Sequence, residues 1–131
     1  MKSLKVGVLA LSTVLLLGAC GTGKVKPEDT RKVLEKNGYV VVIKTAEEFK
    51  QTSVTFQDFE GFEYYLTGTK GDVTKEVSTI NAYYFDSSKT AQAFFDKAAS
   101  QYVSETTRVG VYNNVFYVGT GTGAQDANFE K

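Results

Sequence analysis

The sequence predicts an α+β domain: a mostly antiparallel sheet of about five strands with two helices packed on one face. Three observations predict it. Short β-branched and aromatic runs fall into pairs with turn residues between them, the pattern of hairpins. Two other stretches carry apolar residues at three- and four-residue steps with helix-end signals around them. Nine Phe and eight Tyr supply a core, and a single Cys leaves no internal disulfide to share the task.

The elements follow in order from Pro27. The run PEDTRKVLEK reads as a helix. Pro27 suits the first helical position. Glu28 and Asp29 meet the positive end of its dipole, and Lys32 and Lys36 lie nearer the negative end. Asn37-Gly38 supplies a left-handed stop. Thr30, Val33 and Leu34 give the helix a modest apolar face. Tyr39 to Thr45 (YVVVIKT) is a strand, so continuously β-branched that it reads as a central one with both faces covered. Thr45-Ala46-Glu47-Glu48 has capping-box form and starts a helical turn to about Gln51. Across the long connection from Thr52 to Gly61, Phe56 and Phe59 are expected to pin the chain to the core.

Phe62 to Thr69 and Val77 to Phe85 read as two strands of a hairpin, turning at Lys70-Gly71-Asp72. Asp86-Ser87-Ser88 opens the second helix, with Ser87 or Ser88 as N-cap. It is expected to run to about Ser104, with Ala91, Phe94, Phe95, Ala98, Ala99 and Tyr102 forming one wide stripe. Thr106 to Tyr112 and Val115 to Gly119 form the last hairpin. Asn113-Asn114 is its turn, because Asn tolerates the positive φ of a type I′ turn. Ala124 to Lys131 is either one helical turn or a frayed tail.

Ahead of this domain stands MKSLKVGVLALSTVLLLGACGTGK. Lys2 and Lys5 form a short basic start, and Val6 to Leu17 is apolar. That run is shorter than the roughly 20 residues needed to cross a bilayer. Leu17-Gly18-Ala19 then sets small residues before the only cysteine, Cys20. The stretch resembles a bacterial lipoprotein signal, with Leu17, Gly18, Ala19 and Cys20 matching the lipobox. The resemblance implies cleavage between Ala19 and Cys20, a thioether-linked diacylglycerol on Cys20 and an extracytoplasmic domain anchored to the cell membrane. The expected organisation is a signal over 1–19, a lipidated tether over 20–26 and one domain over 27–131. Two or three acyl chains anchor stably where one does not. KVLEKNGYVVVI, AYYFDSSKTAQAFFDKA and VYNNVFYVGT loosely resemble the small single-domain lipoproteins of Gram-positive bacteria and their relatives. That layout resemblance carries no site residue.

Composition narrows the chemistry. Without residues 1–19 the chain has 112 residues and a net charge of −2, because Lys2 and Lys5 leave with the signal. Such a balance argues against nucleic acid as a partner. The chain contains no His. The usual general base and the usual transition-metal ligand are therefore missing, and Cys20 is spent on the anchor. No cofactor and no metal site is expected.

Three patterns compete for function. Gly119, Gly121 and Ala124 fit G-x-G-x-x-A after a strand, yet only seven residues follow Ala124. A dinucleotide site needs a second strand and an acidic residue about 20 positions on, so a plain glycine-rich strand exit is expected instead. Tyr64, Tyr65, Tyr83, Tyr84, Tyr112 and Tyr117 lie on strands. With both helices on one face, the open face is expected to carry a row of tyrosines, either a ligand surface or ordinary cross-strand pairing. Asp58, Glu60 and Glu63 form an acidic loop, which lacks the six to eight oxygens of a calcium cage.

The leading expectation is a lipid-anchored binding or accessory domain without enzymatic activity, meeting an envelope protein or a small ligand. The alternatives are a small carboxylate-dependent hydrolase acting on envelope polymers, or a structural subunit of an envelope complex.

Overall fold

The computed structural model describes residues 24–51, 60–71 and 77–130. Residues Ala19 and Cys20, the aromatic pair Phe56 and Phe59, and Asp58 lie outside the described residues.

The element order is α1 (Pro27–Lys36), β1 (Val40–Thr45), α2 (Ala46–Lys50), β2 (Phe62–Lys70), β3 (Ser78–Phe85), α3 (Ser88–Ala98), β4 (Thr107–Tyr112), β5 (Val115–Thr120) and α4 (Gly123–Asp126). A 3₁₀ turn, Ala99–Gln101, extends α3. The five strands form one sheet in the order β1-β2-β3-β5-β4, and every neighbouring pair is antiparallel.

Local signals explain most boundaries. Pro27 opens α1, and Gly38 at φ +89° ends it. Thr45 and Glu48 form a complete capping box on α2. The Ser87 side chain accepts from the Thr90 amide and caps α3. At the β4–β5 turn only Asn113 takes positive φ, at +52°. The expected type I′ geometry requires it at both residues. Asn114 serves differently: it is buried, and its side chain ties separate segments together.

Side-chain alternation divides the core in two. Leu66, Ile80, Ala82, Tyr84, Val115 and Tyr117 point to one face, where they meet Leu34 of α1 and Ala124 of α4. Tyr83, Phe85, Phe116 and Val118 point to the other, where they meet Ala91, Phe94 and Ala98 of α3. The two long helices therefore lie on opposite faces. The expectation of both on one face does not hold, because β3 and β5 carry large apolar side chains in both phases and each phase needs its own cover.

A second correction concerns β1. It is an edge strand, paired only with β2 among the described residues. Val40 is 75% exposed and Val42 46%. The continuously buried strands are β3 from Ala82 to Phe85 and β5 from Val115 to Gly119.

The domain's contacts begin ahead of Pro27. The Val25 amide donates to Asn114 Oδ1 at 2.6 Å, and Asn114 Nδ2 donates back to the Val25 carbonyl at 3.1 Å. At the other terminus, α4 and Phe129 close the α1 face, with Phe129 stacked on Tyr117 at 5.3 Å.

Candidate functional site

Where β1 gives way to α2 and β2 begins, the sheet leaves a cleft of about 820 Å³. The first turn of α1 and the segment before it form one wall, with Val25 and Pro27. Ile43 with Ala46 and Phe62 with Tyr64 form further walls, and the buried Tyr84 and Asn114 lie at the floor. Each wall follows from a local signal. Proline fixes the first turn of α1, the capping box sets Ala46 at the start of α2, and a β-bulge between Phe62 and Tyr64 re-aims the start of β2.

The floor is rigid because its polar groups are bonded. Tyr84 is 1% exposed and donates its hydroxyl to Thr30 Oγ1 at 2.6 Å. Asn114 Nδ2 also donates to the Phe85 carbonyl at 3.0 Å. Charges gather at the rim, where Lys24 Nζ lies 3.0 Å from Glu63 Oε1. Both partners are well exposed, so the pair adds little stability. Glu28 and Glu47 line the same cleft. The result is an apolar interior with a few charged groups at the mouth, of a size that takes small ligands or a few side chains of a partner.

The six candidate tyrosines do not form one open row. Tyr65 and Tyr83 lie on the α3 face with ring centroids 5.2 Å apart, and the Tyr65 hydroxyl donates to Asn81 Oδ1 at 2.7 Å. Tyr84 and Tyr117 are buried on the α1 face. Tyr117 donates to Glu130 Oε2 at 2.5 Å, and Arg108 holds the other oxygen of that carboxylate at 2.8 Å. Only Tyr64 (40%) and Tyr112 (41%) are substantially exposed. They share one transverse row, which runs from Thr45 through Tyr64, Tyr84 and Val115 to Tyr112. Strand spacing sets them about 14 Å apart. Tyr64 lines the cleft, whereas Tyr112 packs on Phe129.

Burial raises the ionisation of Tyr83, Tyr84 and Tyr117 well above the ordinary tyrosine value, and the Glu130 carboxylate adds to the effect at Tyr117. Tyr39 is raised by burial and then by Asp126, to which its hydroxyl donates at 2.7 Å. At neutral pH the hydroxyls of Tyr39, Tyr84 and Tyr117 are donors that fasten the fold.

The glycine-rich motif has a packing explanation. A Cβ on Gly121 would stand 2.4 Å from Ser78 Oγ, and one on Gly123 would stand 1.9 Å from the Thr79 carbonyl oxygen. The loop must be glycine at these positions to lie against the start of β3. Of the acidic loop, Glu60 and Glu63 are described, and Glu63 is the rim residue paired with Lys24. Among the described residues no group of three or more His, Cys, Asp or Glu is arranged to hold a metal ion, and no helix is long and apolar enough to cross a membrane.

The cleft draws on five separated stretches of sequence, so reading along the chain missed it. The available signals were the proline at a helix start and the capping box, which fix two of its walls. Comparison with protein-family models, with curated proteins and with solved structures returned no match.

Proposed function

We propose that this chain is a lipid-anchored binding module of the cell envelope, without catalytic activity of its own, and that it binds through the cleft beside the first turn of α1. The observation that carries this reading is the position of the cleft. Its rim begins at Lys24, four residues after Cys20. Four extended residues reach at most about 14 Å, so a ligand in the cleft would be held close to the anchored membrane surface. The apolar walls and exposed Tyr64 suit a partner that offers an apolar or aromatic group.

Two experiments test it. Full-length protein and its Cys20→Ala variant are expressed in a bacterial host, and the products are weighed intact and fractionated. The expected result is a chain beginning at Cys20, carrying diacylglyceryl mass and lying in the membrane, with the variant unmodified. An unmodified chain starting at Met1 in the cytosol overturns the anchored reading. In the same cells a photo-crosslinking residue replaces Tyr64 or Tyr112. The expected result is a discrete adduct from position 64, lost when Ala46→Trp fills the cleft. Equal adducts from both positions, insensitive to Ala46→Trp, overturn the cleft as the binding site.

A second reading rests on Glu28, Glu47 and Glu63, which line that cleft. Two carboxylates across a glycosidic bond are the machinery of a hydrolase. This reading predicts release of soluble fragments from purified cell-wall polymer, abolished by Glu47→Gln or Glu63→Gln.

A further inference from the structure

The row Thr45, Tyr64, Tyr84, Val115 and Tyr112 crosses all five strands at one end of the sheet. Among the described residues, Tyr64 and Tyr112 are the exposed aromatic side chains, and both stand in that row. The exposed Val40, Val77 and Val103 lie towards the opposite end, about 17 Å away along the strands. The N-terminal segment emerges between the two tyrosines. Lys24 and Val25 line the cleft with Tyr64 and, on the other side, a shallower hollow with Tyr112. Asn114 holds Val25 by both its amide and its carbonyl. Two hydrogen bonds from one buried side chain keep the segment docked. Only Gly21 to Lys24 separate Cys20 from that clamp, a span of at most about 18 Å.

We propose that this end of the sheet rests on the lipid surface, with Tyr64 and Tyr112 at the headgroup level and the Asn114 clamp keeping the tether too short for the domain to invert. The inference rests on the lipidation of Cys20 proposed above. Tyrosine joins an apolar ring to a polar tip and is enriched where a bilayer meets water. The outer sides of the long helices offer no such contact, because Lys32, Glu35 and Lys36 on α1 and Lys89, Asp96 and Lys97 on α3 are all exposed. Lysines and glutamates are mixed beside the tyrosines, among them Lys24, Lys26, Glu28 and Glu47. The contact therefore relies on the anchor and the tyrosines and needs no anionic lipid. The cleft opens at the same end, so it receives its ligand at the membrane surface.

The test uses mature protein purified from bacterial membranes, with its intact mass checked for diacylglycerol on Cys20. That modification leaves an introduced thiol as the only free one. Glu28→Cys and Lys36→Cys label the two ends of α1, and Lys89→Cys and Ser100→Cys the start of α3 and the turn that extends it. Each variant carries a fluorophore and is reconstituted into phosphatidylcholine vesicles that contain a lipid with a nitroxide on its headgroup. The expected result is loss of emission at positions 28 and 89 and little loss at 36 and 100. Inserting about eight glycine and serine residues after Gly21 lengthens the span to roughly 45 Å and leaves the described residues unchanged. The contrast between the two ends is then expected to collapse. Equal loss at 28 and 36, or at all four positions, in the lipidated protein overturns the end-on stance and leaves the anchor standing. A contrast that survives the insertion overturns the short tether as its cause. A chain without diacylglycerol overturns the anchored reading, and this inference falls with it.

Discussion

Tyr83 and Tyr84 are neighbours in β3, both buried, and they point into two interiors built on different chemistry. Tyr83 enters a cluster of rings. Phe116 lies 5.7 Å from it, Phe49 6.0 Å and Phe94 6.5 Å, centroid to centroid. Tyr84 enters a layer fastened by hydroxyls: its own on Thr30, that of Tyr39 on Asp126 and that of Tyr117 on Glu130. The first two join residues 54 and 87 positions apart in sequence. The α3 face thus has area and dispersion behind it, while the α1 face uses directed bonds to fix α1 and the segment from Asp126 to Glu130 onto the sheet. Damage to the first should be large and global. Damage to the second should be smaller and local to the termini and the cleft.

Phe116→Ala tests the first half with the largest expected effect. Phe116 is fully buried and meets Phe94 at 5.0 Å, Tyr102 at 5.8 Å and Phe95 at 6.2 Å. Emptying that position should cost about 3–5 kcal/mol in denaturant unfolding. A loss near 1 kcal/mol would mean that the ring cluster collapses to fill the space and that the two faces are alike.

Alkali compares the faces directly, because each holds a buried tyrosine whose ionisation is raised by burial. A raised folded-state value favours the protonated form in the fold. That stability is whole below the unfolded value near 10 and is lost as pH rises through and beyond it. Each such tyrosine weakens the fold by about 1.4 kcal/mol per pH unit in that window. Alkaline unfolding should coincide with the part of the tyrosinate absorbance that Tyr83→Phe or Tyr84→Phe removes, because the exposed Tyr64 and Tyr112 do not report on burial. Tyr83→Phe and Tyr84→Phe should each make the decline shallower. That part of the absorbance appearing well before unfolding would show that the buried phenols reach solvent in the folded state.

Asn114→Ala probes the α1 face at its joint. The residue is 2% exposed and spends its side chain on Val25 and on the Phe85 carbonyl. Leaving those groups unbonded should cost about 1–3 kcal/mol. Amide exchange should rise first at Val25 and around the cleft, with the α3 face still protected. Uniform loss of protection would mean that the two faces unfold as one.

The same contrast explains what was legible in the sequence. Helices α1 and α3 were, because Thr30 with Leu34, and Ala91 with Phe94 and Ala98, repeat at helical spacing and sit between clear caps. Five antiparallel strands were legible from paired runs and turns. The division of the helices between faces was not. AYYF carries bulk in both phases, which is equally compatible with one cover or two until the sheet order is known. The valines of β1 imitate a central strand, while the actual centre is marked by aromatic size in β3 and β5. The tyrosine row failed for the same reason, since α1 packs on one face and α3 on the other and neither face is left open to carry it. The cleft is a property of strand ends, and its pieces meet only after the sheet is assembled.

Thr45→Ala is the smallest perturbation and the one that joins both halves. Helix α2 leans on the α3 face through Phe49, whose ring lies 4.3 Å from Tyr65 and 5.7 Å from Phe62, and it contributes Ala46 and Glu47 to the cleft. Its start depends on the Thr45 hydroxyl accepting from the Glu48 amide at 3.2 Å and on the Glu48 carboxylate accepting from the Thr45 amide at 2.8 Å. The amide contact holds the Glu48 carboxyl below its usual range. That contribution is present above the unfolded value and is lost as pH falls through the folded one. Removing the hydroxyl should cost about 1 kcal/mol at neutral pH. The difference between wild type and variant should narrow in acid, where Glu48 is protonated and half of the box is already gone. Ligand-independent changes should then appear together at Phe49 and at Tyr64, on opposite sides of β2. Changes at Phe49 alone would mean that the cleft wall is held by β1 rather than by α2, and that the two faces communicate less than their shared helix implies.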